Sequence, residues 1–430
     1  MHALDRHKIA FILNEFPIPS QTFINQEIIG LKQLGMSIEL CSLIKPQDVG
    51  FDGELKRMAD ETFYLLPFVS AFRLFKAHLY FLCRFPVRYL KTAFFSITHR
   101  RGAGSIFGTV AHILFSKKDL SKSQRQDLFF HFLLSCVLAR VMMRKDIQLI
   151  NAHFADAAAS FAMLCSKLLA IPYSITAHAY DIFAPQTNLT EKFEGARFIV
   201  TCTQYNKQHL LETFPELEAR VSVVYHGIDL DELKRKKQKS GRPVILSVGR
   251  LVPKKGMLVL VEACRLLKKR NVPFTCYIIG EGPERPRLEM KIKLDDLVGD
   301  VELPGAMFPD QVIAHYRRAD IFVLPCIVEA DGNRDGIPNV LAEAMAMEIP
   351  VISTGISAIP ELITDGVDGI LVDQGDAEKV CEAMISLMSS PRKKRSITRN
   401  GRLKVEKMFD RRVNLLQLRA IYQSHLLQPD

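Results

Sequence analysis

A chain of 430 residues is too long for one hydrophobic core and implies two domains of roughly 200 residues each. Its 48% apolar and 24% charged content is that of an ordinary globular protein and excludes collagenous, fibrous and disordered classes. The formal charge of +10 would suit a nucleic-acid binder, but no helix-turn-helix, zinc-finger or RNA-recognition signature accompanies it, so no nucleic-acid partner is expected.

The chain opens without the long apolar run of a secretory signal. Its first strand is read at 8–14, "KIAFILN", and the loop "EFPIPSQTFINQE" (15–27) follows, with Ser20 able to cap a helix that begins near Gln21. "SIELCSLI" (37–44) reads as a second strand. Residues 64–145 then interrupt the pattern as a basic, mostly helical insertion, with fourteen Lys and Arg against Asp119 and Asp127. Pro67, Arg73, Lys76, His78 and Arg84 break its most apolar window too often for a membrane span. Basic residues interleaved with aromatics suit an anionic membrane surface instead.

Strands resume at 147–154, 172–179, 197–203 and 221–227, and His153 and His178 stand at or near the ends of two of them. "DELKRKKQKSGR" (231–242) is charged and apolar-poor and reads as a linker. Beyond it, short β-branched runs at 243–249, 275–280, 301–305, 319–325, 350–355 and 368–373 alternate with segments of helical period. This is the pattern of α/β, doubly wound parallel sheets. The expected organisation is a Rossmann-like domain over 1–230, a linker, a second Rossmann-like domain over 243–412, and a last helix over 413–430. Ligands of such sheets bind beyond the carboxyl ends of the strands.

The loops there carry chemistry. "VGRLVPKKG" (248–256) places Gly249, Arg250, Lys254 and Lys255 just before a helix, a combination suited to a diphosphate without a metal. No Gly-x-Gly-x-x-Gly follows a first strand, which argues against nicotinamide chemistry. "IIGEGPERP" (278–286) offers Gly280 and Gly282 for close approach, with Glu281 or Arg285 beside them. "RDGIPNVLAEAMA" (334–346) puts Asp335 in a loop and Glu343 in the following helix. Carboxylates near bound phosphate should face neutral hydroxyls, and a vicinal diol can donate twice to one carboxylate. The nine cysteines are scattered, with no Cys-x-x-Cys, which reads as buried reduced thiols in a cytoplasmic protein with no metal site.

These blocks, with "FPIPSQTFINQEI", "TAHAYDI", "HGID" and "PVISTGISAIPELITDGVDGILV", resemble the retaining family-4 glycosyltransferases of the GT-B fold, especially those building bacterial exopolysaccharides. The resemblance covers nearly the whole chain. It implies two Rossmann-like domains facing across a cleft, and transfer of a hexose from a nucleotide-diphosphate sugar with no further cofactor. It implies that Arg250 and Lys255 bind the diphosphate, Glu343 the ribose diol, and Asp335 and His178 the hexose. Gly249, Gly280, Gly282, Asn339, Gly355 and Ile356 join the donor side, the last block offering backbone N–H groups from Gly355 to Ile359. Ser20, Gln21, Thr22 and His153 join the acceptor side. The implied acceptor is a lipid-linked oligosaccharide at the inner face of the cytoplasmic membrane. The sequence departs from the family pattern at Asp335, where Glu is usual, at His226, where Asn is usual, and at Gln21, where Glu is frequent. A non-catalytic nucleotide-sugar or membrane-surface binder and a sugar-nucleotide epimerase remain as alternatives.

Overall fold

The computed structural model describes residues 7–18, 21–46, 53–100, 127–184, 186–234 and 241–427. The chain divides into two compact units. One runs to Thr201 and adds Lys207–Val224 and the residues from Leu415; the other comprises Cys202–Asn206 and Tyr225–Asn414.

The first unit is built on seven parallel strands: β1 (Lys8–Glu15), β2 (Ser37–Ile44), β3 (Phe63–Tyr64), β4 (Ile147–His153), β5 (Tyr173–Ala177), β6 (Phe198–Thr201) and β7 (Val221–Val223), ordered β3-β2-β1-β4-β5-β6-β7. Helices cover both faces, so the strands are apolar along their length; Ala10, Phe11 and Ile12 of β1 are fully buried. On one face Phe11 and Leu149 pack with Ile24 and Ile28 and with Leu418 and Tyr422 from the C-terminal helix. On the other lie helices Leu128–Arg144 and Ala157–Leu169. The sequence reading missed β3, which is only two residues long and shows no period.

The second unit holds six parallel strands: β8 (Val244–Val248), β9 (Thr275–Ile279), β10 (Val301–Gly305), β11 (Ile321–Leu324), β12 (Val351–Thr354) and β13 (Ile370–Val372), ordered β10-β9-β8-β11-β12-β13. The winding reverses between β8 and β11, and in the first unit between β1 and β4. Such switch points open a crevice beyond the strand ends.

The units meet along the chain at Val224–Tyr225, earlier than residue 230, because Ile228 and Leu233 are buried in the second unit's core. Of the linker, residues 235–240 lie outside the described residues, as do residues 101–126 of the basic insertion. The chain ends in two helices, Pro391–Met408 and Arg411–Leu427, and the division between units falls after Asn414.

Candidate functional site

The second unit's switch point joins two loops. The loop behind β8 carries Gly249, Arg250 and a short 3-10 turn, Pro253–Lys255, before helix Met257–Lys269. Gly256 ends that turn with φ +66°, and a side chain there would overlap the Pro325 carbonyl oxygen. Only glycine meets both demands, and the pair fixes this loop to the one behind β11. Further contacts between the two loops run from the Lys254 N–H to Glu329 (3.0 Å) and from the Ile327 N–H to the Lys254 carbonyl (3.0 Å).

Asp335 lies in the loop behind β11, between both lysines. Its Oδ2 is 2.6 Å from Lys255 Nζ and its Oδ1 is 3.0 Å from Lys254 Nζ. All three side chains are largely buried. Burial disfavours the Asp335 carboxylate, but the two ammonium groups more than offset it and bring the carboxyl down to about 2. Burial likewise works against the charge of Lys255, and Asp335 reverses the effect, leaving its pKa raised. Asp335 therefore faces cations in this structure and not only neutral groups, as the sequence reading had it; the lysines reach it from the neighbouring strand end. Arg250 is exposed at the rim.

Helix Asn339–Ala346 follows, N-capped by Pro338, with Asn339 as its first residue. Glu343, on its first turns, accepts a hydrogen bond from the Tyr316 hydroxyl at 3.0 Å. Burial raises the Glu343 pKa while the Tyr316 hydrogen bond lowers it, and burial prevails. Tyr316 is fully buried on helix Pro309–Arg318. Sequence reasoning missed it as a site residue, although a lone tyrosine on the buried side of an amphipathic helix needs a partner for its hydroxyl.

Gly280 and Gly282 leave space for protein backbone. Side chains there would strike the carbonyl oxygens of Gly249 and Leu251, so both glycines let the loop behind β9 lie against the loop behind β8. Arg285 is bound to Glu281 (2.6 Å), Glu289 (2.8 Å) and the Leu303 carbonyl (2.9 Å). In the block behind β12, the N–H groups of Gly355 and Ile359 donate to Val372 and Ile356. Those two are spent within the protein, contrary to expectation, because Gly355 extends the sheet and Ile359 closes a turn. Ile356 is half-buried beside them. Glu361, one turn on, accepts from the N–H groups of Gln204 (3.0 Å) and Tyr205 (2.6 Å) and from the Tyr225 hydroxyl (2.7 Å). The Tyr205 hydroxyl in turn accepts from Arg334 at 3.1 Å, beside Asp335. No sequence signal marked this chain of contacts.

In the first unit, His153 ends β4 at the switch point, and its ring stacks on His178 with centroids 5.8 Å apart. Both are buried. Phe23 and Phe154 close on His178 at 5.1 and 4.5 Å, and its N–H donates to Asp181 at 2.9 Å. His153 Nε2 lies 3.4 Å from Glu27 Oε1, and burial lifts the Glu27 carboxyl to about 8. Gln21 is the N-cap of helix Thr22–Gln33, with no side-chain capping bond, and Thr22 is exposed. Ser20 lies outside the described residues.

Two family models match the chain: Glycosyl transferases group 1 over residues 229–404 and Glycosyltransferase Family 4 over residues 105–232. WcaL of Salmonella typhimurium, named for colanic acid biosynthesis, is 29% identical over 97% of this chain and all of its own length. The amylovoran biosynthesis glycosyltransferase AmsK of Erwinia amylovora is 28% identical over 97% of this chain and 99% of its own. Among solved structures, Anabaena Alr3699/HepE in complex with UDP and glucose matches with a TM-score of 0.68 at 16% identity, covering 97% of this chain and all of that one. That likeness is one of fold, the GT-B class of two Rossmann-like parallel-sheet domains. With both family models in tandem and full-length relatives of the same kind, the chain belongs to the group 1 and family 4 glycosyltransferases.

Proposed function

We propose that this glycosyltransferase moves a hexose, with retained anomeric configuration, from a nucleotide-diphosphate sugar to a lipid-linked oligosaccharide in exopolysaccharide biosynthesis. The observation that carries the reading is the cationic loop behind β8. Arg250, Lys254 and Lys255 stand there against two carboxylates, Asp335 on the lysine side chains and Glu329 on the Lys254 N–H, so net positive charge remains for a diphosphate at a helix N-terminus. The names of WcaL and AmsK support the exopolysaccharide setting.

In this reading the bond from the anomeric carbon to the diphosphate oxygen breaks through an oxocarbenium-like state. Negative charge grows on the departing phosphate, where Arg250 and Lys255 stabilise it without a metal. The acceptor hydroxyl attacks the same face and passes its proton to the departing phosphate oxygen. Glu343, held by Tyr316, accepts from the ribose diol, and Asp335 contacts the hexose. Asp335 also holds the two lysines in place. The enzyme works at the inner face of the cytoplasmic membrane.

A thermal-shift screen of UDP- and GDP-sugars in excess EDTA, followed by NMR of the product anomer, tests this. A donor at 100 times its Kd should add about 2.7 kcal/mol of stability. Stabilisation without transfer would favour the non-catalytic binder. Sugar isomerised with no acceptor would favour the epimerase. An inverted anomer would refute retention.

A further inference from the structure

The basic insertion contributes two consecutive helices, Ala71–Arg84 and Pro86–Thr98, that pack on helix Leu128–Arg144. Their inner sides are buried through Leu74, Ala77 and Phe81 in the first and Thr92 and Ser96 in the second. Their outer sides are apolar as well. Phe72, Phe75, Leu79 and Leu82 are exposed on the first helix, and Val87, Leu90, Phe94 and Ile97 on the second. Phe72 is 65% and Phe94 70% exposed.

The two stripes have the same spacing and register. Shifting the first helix by fifteen residues lays Phe72 on Val87, Leu79 on Phe94 and Leu82 on Ile97, and also Arg73 on Arg88 and Lys76 on Lys91. At helical period each stripe lies opposite its buried side, with its Arg and Lys along one flank. Between Ala71 and Thr98 there are five cations, Arg73, Lys76, Arg84, Arg88 and Lys91, and no carboxylate. All five are exposed. Lys76 lies over the Phe72 ring at 4.1 Å, and the exposed Phe94 has Lys91 one turn before it. No described helix is long and apolar enough to cross a membrane.

We propose that the paired outer faces of Ala71–Arg84 and Pro86–Thr98 seat the first unit on an anionic lipid bilayer, the aromatic stripes entering the interface and the flanking cations meeting lipid phosphates. An apolar stripe alone would suit a protein partner equally. The carboxylate-free row of cations selects a negatively charged surface. The proposal names the surface by which the proposed lipid-linked acceptor is met, yet docking needs no sugar transfer and is measured without it.

The chain contains no tryptophan, so single Phe75→Trp and Phe94→Trp variants of the full chain report on this face alone. With phosphatidylcholine vesicles containing phosphatidylglycerol, both should shift to the blue and be quenched by brominated lipid. Leu294→Trp, exposed in the second unit, should do neither. Lys76→Gln with Lys91→Gln should weaken vesicle binding by about thirtyfold at low salt, with circular dichroism unchanged. Equal binding to neutral vesicles, or binding indifferent to both substitutions, would overturn the proposal. So would a blue shift without lipid: concentration-dependent, it marks a face between copies of the chain; concentration-independent, a face covered by the chain itself. Vesicle binding in a protein that transfers no sugar would leave the proposal standing and refute only the enzymatic reading.

Discussion

Lys255 Nζ and Asp335 Oδ2 are 2.6 Å apart at the second unit's switch point, and Lys254 holds the other carboxylate oxygen. A buried pair of this kind costs far more to break from one side than it contributes to stability intact. Asp335→Asn leaves two buried ammonium groups without their counter-charge and should destabilise the protein by about 3–5 kcal/mol at pH 7. Asp335→Glu, the family's usual residue, keeps the charge and should lose less than half of that. Because the folded carboxyl titrates near 2 against an ordinary 3.8, its stabilisation is full above pH 3.8 and is lost as pH falls through 2. Urea unfolding of the three proteins from pH 7 down to pH 2 should show the curves of wild type and Asp335→Asn drawing together in acid.

Arg250 has the opposite character, exposed and at the rim of the same loop. Arg250→Ala should change stability by no more than about 0.5 kcal/mol while removing most of the nucleotide-dependent thermal shift. A variant that keeps the full shift would move the diphosphate away from this loop.

Gly256→Ala tests the loop itself. At φ +66°, with the Pro325 carbonyl in the way, the substitution should cost about 1–3 kcal/mol and displace the lysine turn. The readout is a lowered Tm together with weaker nucleotide binding. Normal binding in the destabilised protein would show that the turn tolerates displacement.

Glu27 supplies a pH prediction for the first unit. Burial lifts its carboxyl from 4.5 to about 8, so between those values the folded chain keeps a proton that the unfolded chain has released. Stability therefore falls as pH rises through this window. Glu27→Gln should flatten that slope and leave the variant more stable than wild type at pH 8, measured as Tm at pH 5 and pH 8. Asp181, pushed up to about 7 by burial, adds a slope of the same sign to both proteins, and the difference between them isolates Glu27.

The strands were legible because sheets covered on both faces demand apolar runs, and "SIELCSLI" coincides with β2 residue for residue. Asp335 and Lys255 were legible as members of strand-end loops, since the loop position follows from the strand. Their pairing was not, because it depends on β8 and β11 lying side by side, which sequence spacing does not encode. Tyr316 is hidden for a related reason: its helix reads as amphipathic, and only packing directs the hydroxyl to Glu343. Glu27 carried no signal in the sequence, because Tyr422, which faces it, comes from the far end of the chain and packs on the core that Ile24 and Ile28 of its own helix join.

Glu361 has a consequence for how such chains can be recombined. Its carboxylate binds the N–H groups of Gln204 and Tyr205, which come from the five-residue stretch Cys202–Asn206 that belongs to the second unit but is spelled inside the first. A fragment excised at 225 and 414 would leave Glu361 with the Tyr225 hydroxyl and neither N–H, and Arg334 without the Tyr205 hydroxyl beside Asp335. The second unit is therefore not a cassette with two breakpoints. Chimaeras between members of this family should inherit sound loops behind β11 and β12 only when the small upstream stretch is taken from the same parent as Glu361.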